Sequence, residues 1–199
     1  MKKYLELVEV KGIIQVGSSC GQEVNLLEQF TRDIILIEPL PQCIKLLKSK
    51  YQNHIIIETA LGFENREQKF YVASNGGESS SILKPKQHLD FYPGITFNKT
   101  IKVNVQRFDD VVKNLKIDVS KYNVIISDTQ GCDLDALKGF GGLLNSFDLI
   151  ISEYINTELY EGNQSLNLLK EFLSKDFDLI ETFDENLGAG NAVFKRNKN

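Results

Sequence analysis

Short apolar runs alternate with longer amphipathic ones along this chain. GIIQVG (12–17), DIILIEP (33–39), HIIIETALG (54–62), YNVIISD (122–128) and FDLIISEY (147–154) are continuous apolar segments of strand length, each closed by a polar or turn-forming group. Between them QEVNLLEQF (22–30) places Val24, Leu27 and Phe30 on one helical face, and PQCIKLLKSKY (41–51) carries a proline suited to a first helical turn. CDLDALKGF (132–140) and LNLLKEFLSK (166–175) have the same helical spacing. REQKFYVA (66–73) and TIKVNVQRF (100–108) read as further strands, the second leading into a short helix over DDVVKNL (109–115). FDLIETF (177–183) and GNAVFKR (190–196) are close enough to form a hairpin.

Strand–helix alternation predicts an α/β domain over 1–199, with a mostly parallel, doubly wound sheet covered on both faces. The hairpin leaves one antiparallel strand at its end. SNGGESSSILKPKQHLDFYPG (74–94) exceeds the usual connection length and reads as a lid over a site.

A hydrophobic content of 42% and a charged content of 25% fit a soluble globular chain. No apolar run approaches the roughly 20 residues that span a bilayer, and the N-terminus lacks a signal-like apolar segment, so a cytoplasmic, non-membrane protein is expected. A net charge of −4 without a Lys/Arg stripe argues against nucleic acid as a partner. Cys20, Cys43 and Cys132 show no CxxC or zinc-like spacing and read as packing residues of a reducing compartment; two histidines supply no His-rich metal site.

In such a sheet a ligand lies beyond the carboxyl ends of the strands. The first strand ends in Gly17-Ser18-Ser19-Cys20-Gly21, where glycines admit a ligand and free amides can hold an anion. This is not GxGxxG, which counts against a nicotinamide oxidoreductase. Glu38, about 20 residues on, stands where an acid accepts hydrogen bonds from ribose hydroxyls, with Pro39 after it. Asp128 and Glu153 close two neighbouring strands and are expected to face one cleft. Asp128 reads equally as a helix cap. His88 is a candidate to close over a substrate, against the reading of an exposed loop histidine, and Phe91, Tyr92, Phe97, Tyr154 and Tyr160 either stack on a ring or simply pack.

The chain resembles the FkbM-type family of S-adenosylmethionine-dependent methyltransferases over about residues 12–196. The likeness rests on QVGSSCG (15–21), IEPLPQC (37–43), ETALG (58–62), GESSSIL (77–83), VNVQRFDDVV (103–112), the strand through Glu153 and, most specifically, DTQGCDLDALKGF (128–140). It departs from the family at Gln15 (usually Asp), Ser19 (commonly Asn), Gln130 (normally Glu) and Ile126 (Lys). The resemblance implies a Rossmann-like class I methyltransferase fold, S-adenosylmethionine as cofactor, no metal, and methylation of a hydroxyl on a small molecule or glycan such as a sugar or natural product. Gly17, Ser18, Ser19 and Gly21 would face the methionine part, Glu38 with Pro39 the ribose, and Thr59-Ala60 the adenine. Asp128 would lie near the sulfonium and serve as base, with Glu153 second. A binding module that has lost catalysis, and a metal-assisted enzyme using Asp128 and Glu153, are the alternatives. The acceptor and the oligomeric state are not encoded in these motifs.

Overall fold

The computed structural model describes residues 1–197. In chain order its helices and strands are α1 (Lys2–Leu5), β1 (Ile13–Val16), α2 (Val24–Leu27), β2 (Ile34–Ile37), α3 (Pro41–Lys50), β3 (Ile55–Ile57), β4 (Ala60–Leu61), β5 (Arg66–Val72), α4 (His88–Phe91), β6 (Lys99–Gln106), α5 (Phe108–Leu115), β7 (Val124–Ser127), α6 (Asp133–Lys138), β8 (Leu149–Ile155), α7 (Leu166–Leu173), β9 (Phe177–Asn186) and β10 (Ala189–Arg196). Seven strands form the main sheet in the order β3-β2-β1-β7-β8-β10-β9. The first five are parallel, and β10 runs antiparallel between β8 and β9. The antiparallel strand is therefore inserted one place in from the edge rather than added at it.

Every residue of β1, β2 and β7 is buried, because helices cover both faces of these strands. Alternate side chains point to opposite faces of a strand. Ile14, Val16, Ile35, Ile37, Ile125 and Ile150 pack against Phe108, Phe140 and Leu169 on one side. On the other, Ile13, Leu36, Val124, Ile126 and Leu149 meet Leu5, Val24, Leu27 and Leu47. Tyr4 and Leu5 of α1 belong to this second layer; the first dozen residues, which mix charge and apolar groups, give no helical signal in the sequence.

β4, β6 and β5 make a separate three-stranded sheet, not foreseen from the strand pattern. Its inner side joins Phe70, Val72, Val103 and Val105 to Leu40, Ile82 and Cys132. The 74–94 segment is not a free lid. Tyr71 and Ser81 exchange backbone hydrogen bonds, and the amides of Lys86 and His88 donate to the Leu159 carbonyl. Cys20 and Cys43 are bonded to one another, which corrects their reading as packing residues; Cys132 alone is free and buried. The bond ties the turn after β1 to the first turn of α3. Among the described residues no helix is long and apolar enough to cross a membrane. Nor does any group of three His, Cys, Asp or Glu side chains among them have the arrangement of a metal site.

Candidate active site

The chain proceeds outward from β1 to β2 and β3, then returns to place β7 on the other side of β1. That reversal is the switch point at which α/β sheets open a crevice. Gly17 and Asp128 meet there, with the Asp128 amide donating to the Val16 carbonyl at 3.0 Å. A Cβ on Gly17 would stand 1.8 Å from the Asp128 carbonyl oxygen. Gly17 is therefore required by the packing of one strand end on the other, and its φ of +76° suits glycine as well.

Most of the turn amides are already taken. Those of Gly17 and Ser18 donate to the Ile37 carbonyl, and that of Ser19 donates to Glu38 Oε2 at 2.9 Å. Gly21 borders no cleft; a Cβ there would strike the Tyr51 ring, whose hydroxyl donates to the Gly21 carbonyl. These contacts correct the expectation of an open anion cradle.

Glu38 is only 5% exposed. Its Oε1 accepts from the Leu40 amide at 2.8 Å, so two backbone N–H groups hold the carboxyl in place. Burial pushes it up to about 7, against the opposing pull of those two donors. Two acceptor sites remain on it for a ligand. Beside it lies a narrow cleft of about 50 Å³. Glu38, Pro39, Thr59, Ala60, Asp128 and Gln130 all line it, along with Leu61 and Phe70 from the second sheet and Ile82 from the 74–94 segment. Ser18 instead lines a second, more polar cleft of about 330 Å³ on the other side of Asp128, with Gln15, Glu23 and Glu78. Both clefts share Gly17, Ser19, Glu78, Asp128 and Gln130.

Asp128 touches solvent in these clefts. Protein surrounds the rest of it and raises its carboxyl above the ordinary range. Its Oδ1 accepts from Gln130 Nε2 at 2.7 Å, and the same nitrogen donates to both oxygens of Glu153 at 3.1 and 3.2 Å. Glu153 lines neither cleft; it lies behind Asp128, so the expectation that both acids face one cleft is met by Asp128 alone. Burial, then the charges of Asp128 and Asp133, push Glu153 well above the usual carboxylate range. Two acids this close titrate as one unit.

Asp133 escapes the sequence reading, and Tyr160 enters it only as a ring that stacks or packs. Asp133, at the start of α6, accepts from Ser127 Oγ at 2.6 Å and from the Thr129 amide at 3.0 Å, and burial lifts it to about 7. Its one signal is its place as the second acid of the DTQGCD run. Cys132 stands at the N-cap of α6 with no side-chain cap bond, so the capping reading of Asp128 is not met. Tyr160 is fully buried, with its hydroxyl 3.0 Å from Gln130 Oε1 and 2.8 Å from the Ser79 carbonyl. Nothing in its own neighbourhood of the chain announces that contact.

His88 is neither exposed nor open to the clefts. It is 3% exposed and packed among Tyr92, Phe97 and Tyr160, where burial lowers its pKa. Tyr154 is core, and Phe91 is exposed.

The donor set suits a nucleoside bearing positive charge. Glu38 can accept from sugar hydroxyls, and Thr129 lines the same cleft. Apolar walls from Ala60, Leu61, Phe70 and Ile82 can cover a flat base, and Asp128 places negative charge at the far end.

The methyltransferase FkbM domain model matches residues 18–188. The chain is 28% identical over 182 residues to the 2-O-methyltransferase NoeI of Sinorhizobium fredii, covering 86% of this chain and 74% of that protein. The N-methyltransferase NodS from Bradyrhizobium japonicum, solved with S-adenosyl-L-homocysteine, shares the fold with a TM-score of 0.54 at 8% identity, over 98% of this chain and 82% of that one. An rRNA methylase from Streptococcus thermophilus does so with a TM-score of 0.54 at 7% identity, over 99% and 94%. A family match across most of the chain, on a class I fold whose crevice suits a nucleoside sulfonium, means that this chain belongs to the FkbM methyltransferase family and takes S-adenosylmethionine as its cofactor.

Proposed function

We propose that this protein methylates a hydroxyl group of a sugar, glycan or related natural product, with Asp128 as the general base. The observation that carries the reading is that Glu38 and Asp128, acids of different strands, line one cleft together with Thr59 and Ala60. Glu38 would hold the ribose, Thr59 and Ala60 would flank the adenine, and Gly17 and Ser19 would lie along the remainder. S-adenosylmethionine, when bound, supplies a methyl carbon made electrophilic by positive sulfur.

The residues of the chain have three tasks. The crevice aligns the acceptor oxygen with that carbon, and alignment alone lowers a bimolecular barrier substantially. Asp128 takes the hydroxyl proton as the oxygen gains the methyl, a contribution of about 10²–10⁴ in rate. Its negative charge also complements positive sulfur in a partly water-excluded place. The polar cleft beyond Asp128, lined by Gln15, Gln22, Asn75 and Ser79 with Glu23 and Glu78, offers hydrogen-bond partners to a polyhydroxylated acceptor and no basic side chain for an anionic one. The 2-O-methyltransferase NoeI, the relative at 28% identity, agrees with oxygen as the acceptor atom.

Calorimetry with S-adenosylmethionine, followed by turnover on a panel of mono- and oligosaccharides, tests the proposal. Asp128→Asn should keep most donor binding and lose about 10²–10⁴ of the transfer rate. Undiminished transfer by that variant would refute Asp128 as base, and donor binding without turnover on any hydroxylated acceptor would favour a binding module.

A further inference from the structure

Gln130 connects more of the site than any other side chain. Its amide nitrogen donates to Asp128 on one side and to Glu153 on the other, while its amide oxygen lies within hydrogen-bond reach of the Tyr160 hydroxyl. Its backbone carbonyl accepts from Ser81 Oγ at 2.9 Å. The amide turns its NH₂ end to the two acids and its oxygen to the Tyr160 hydroxyl, which can donate to it. The residue also adopts φ +56°, a left-handed conformation that a non-glycine side chain occupies at an energetic cost. Gly131 follows at φ +96°, so the whole turn is bent to bring this one side chain between the strand ends of β7 and β8. Strain of this kind at a cleft marks a position held for function.

We propose that Gln130 is a positioning residue: its single amide clasps Asp128 and Glu153 into one unit with Asp128 turned to the cleft, and its other end anchors that unit to Tyr160 and the serine segment 79–81. The inference rests on Asp128 as the base. A neutral amide suits this place because the surroundings are already acidic. Asp133 from α6, Glu23 ahead of α2, Glu38 from the end of β2, Glu78 from the serine segment and Tyr160 all face the pair or its immediate neighbours. The N–H bonds from Gln130 favour the charged forms of Asp128 and Glu153, against the burial that raises both. A glutamate in its place could donate at most one hydrogen bond, and only when protonated.

The test is a pH titration of the side-chain carboxyls by NMR on protein labelled at Asp and Glu, without cofactor and again with S-adenosylhomocysteine. Glu153→Gln and Asp128→Asn assign the signals. Gln130→Ala and Gln130→Glu should each raise the titration midpoint of the pair, with about a tenfold gain in proton affinity, and move the acidic limb of the transfer profile to higher pH. Gln130→Gly is the discriminating variant: it accepts the left-handed backbone and should melt no lower than the native protein, yet show the same displaced titration. Tyr160→Phe, which frees only the oxygen end, should give a smaller displacement. Gln130→Gly or Gln130→Ala titrating like the native protein would overturn the proposal and leave Gln130 a turn residue. Glu38→Ala separates this inference from the function on which it rests. It should lose donor binding while the pair titrates unchanged, whereas a changed titration there would also count against Gln130 as the controlling contact.

Discussion

Two acids meet at the crest of the sheet and are held in opposite ways. Glu38 is buried and receives two backbone N–H bonds, from Ser19 and Leu40. Asp128 touches solvent and is held by a side chain, Gln130, that also holds Glu153. A carboxyl fixed by backbone can move only if its strand end and turn move with it. One fixed by a side-chain amide can exchange protons with its neighbour while the fold stays still. The first arrangement suits recognition of a constant part of a ligand, and the second suits a proton transferred in every cycle.

The severest way to break this contrast is to strike where the two regions touch. Gly17→Ala would drive a methyl group into the Asp128 carbonyl at a left-handed position, so both acids should be displaced together. A loss of roughly 2–4 kcal/mol is expected, read as a fall in Tm of about 5–15 °C with activity lost as well. A variant as stable and active as the native protein would show that the strand ends need not touch.

Glu38→Gln sharpens the comparison on the recognition side. It keeps the shape but cannot accept from a ribose as a carboxylate does, and hydrogen bonds to charged groups contribute about 1.5–3 kcal/mol. Donor affinity should fall about 10- to 100-fold by calorimetry, with kcat less affected than KM. Because bonding to a ligand favours the charged form, binding near pH 7 should release a proton in the native protein and not in this variant, which paired buffers of different ionisation enthalpy would reveal.

The smallest effect concerns stability. Glu38 and Asp133 are both raised to about 7 by burial, from ordinary values near 4 in an unfolded chain. The folded state therefore binds more protons than the unfolded state between those limits. Their contribution to stability is complete below the unfolded values and is lost as pH rises through about 7. The carboxyls held low by partners, Asp109, Asp118, Glu158 and Glu181, act below pH 4 and do not offset this. Without cofactor, Tm should fall by roughly 2–6 °C between pH 6 and 8, at ~2–4 °C per kcal/mol, and Glu38→Gln should flatten that slope. A Tm that rises over this range would contradict the burial of these protons.

The strands of the main sheet, their parallel core, the closing hairpin and the acids at positions 38, 128 and 153 could all be read from the sequence, because each depends on local periodicity and on where an apolar run stops. The run from Asp128 to Phe140 marked its own importance in the same way. Tertiary structure alone decided that β4, β5 and β6 leave the main sheet to wall the cleft, that Glu153 stands behind Asp128, and that Cys20 joins Cys43. It also decided that Gly17 serves a neighbouring carbonyl, and that a tyrosine 30 residues away completes the bonds of Gln130. The reason is physical. Periodicity records which face of an element is buried, whereas a hydrogen bond between distant residues depends on the distance between two strand ends, which is set only when the sheet has closed around them.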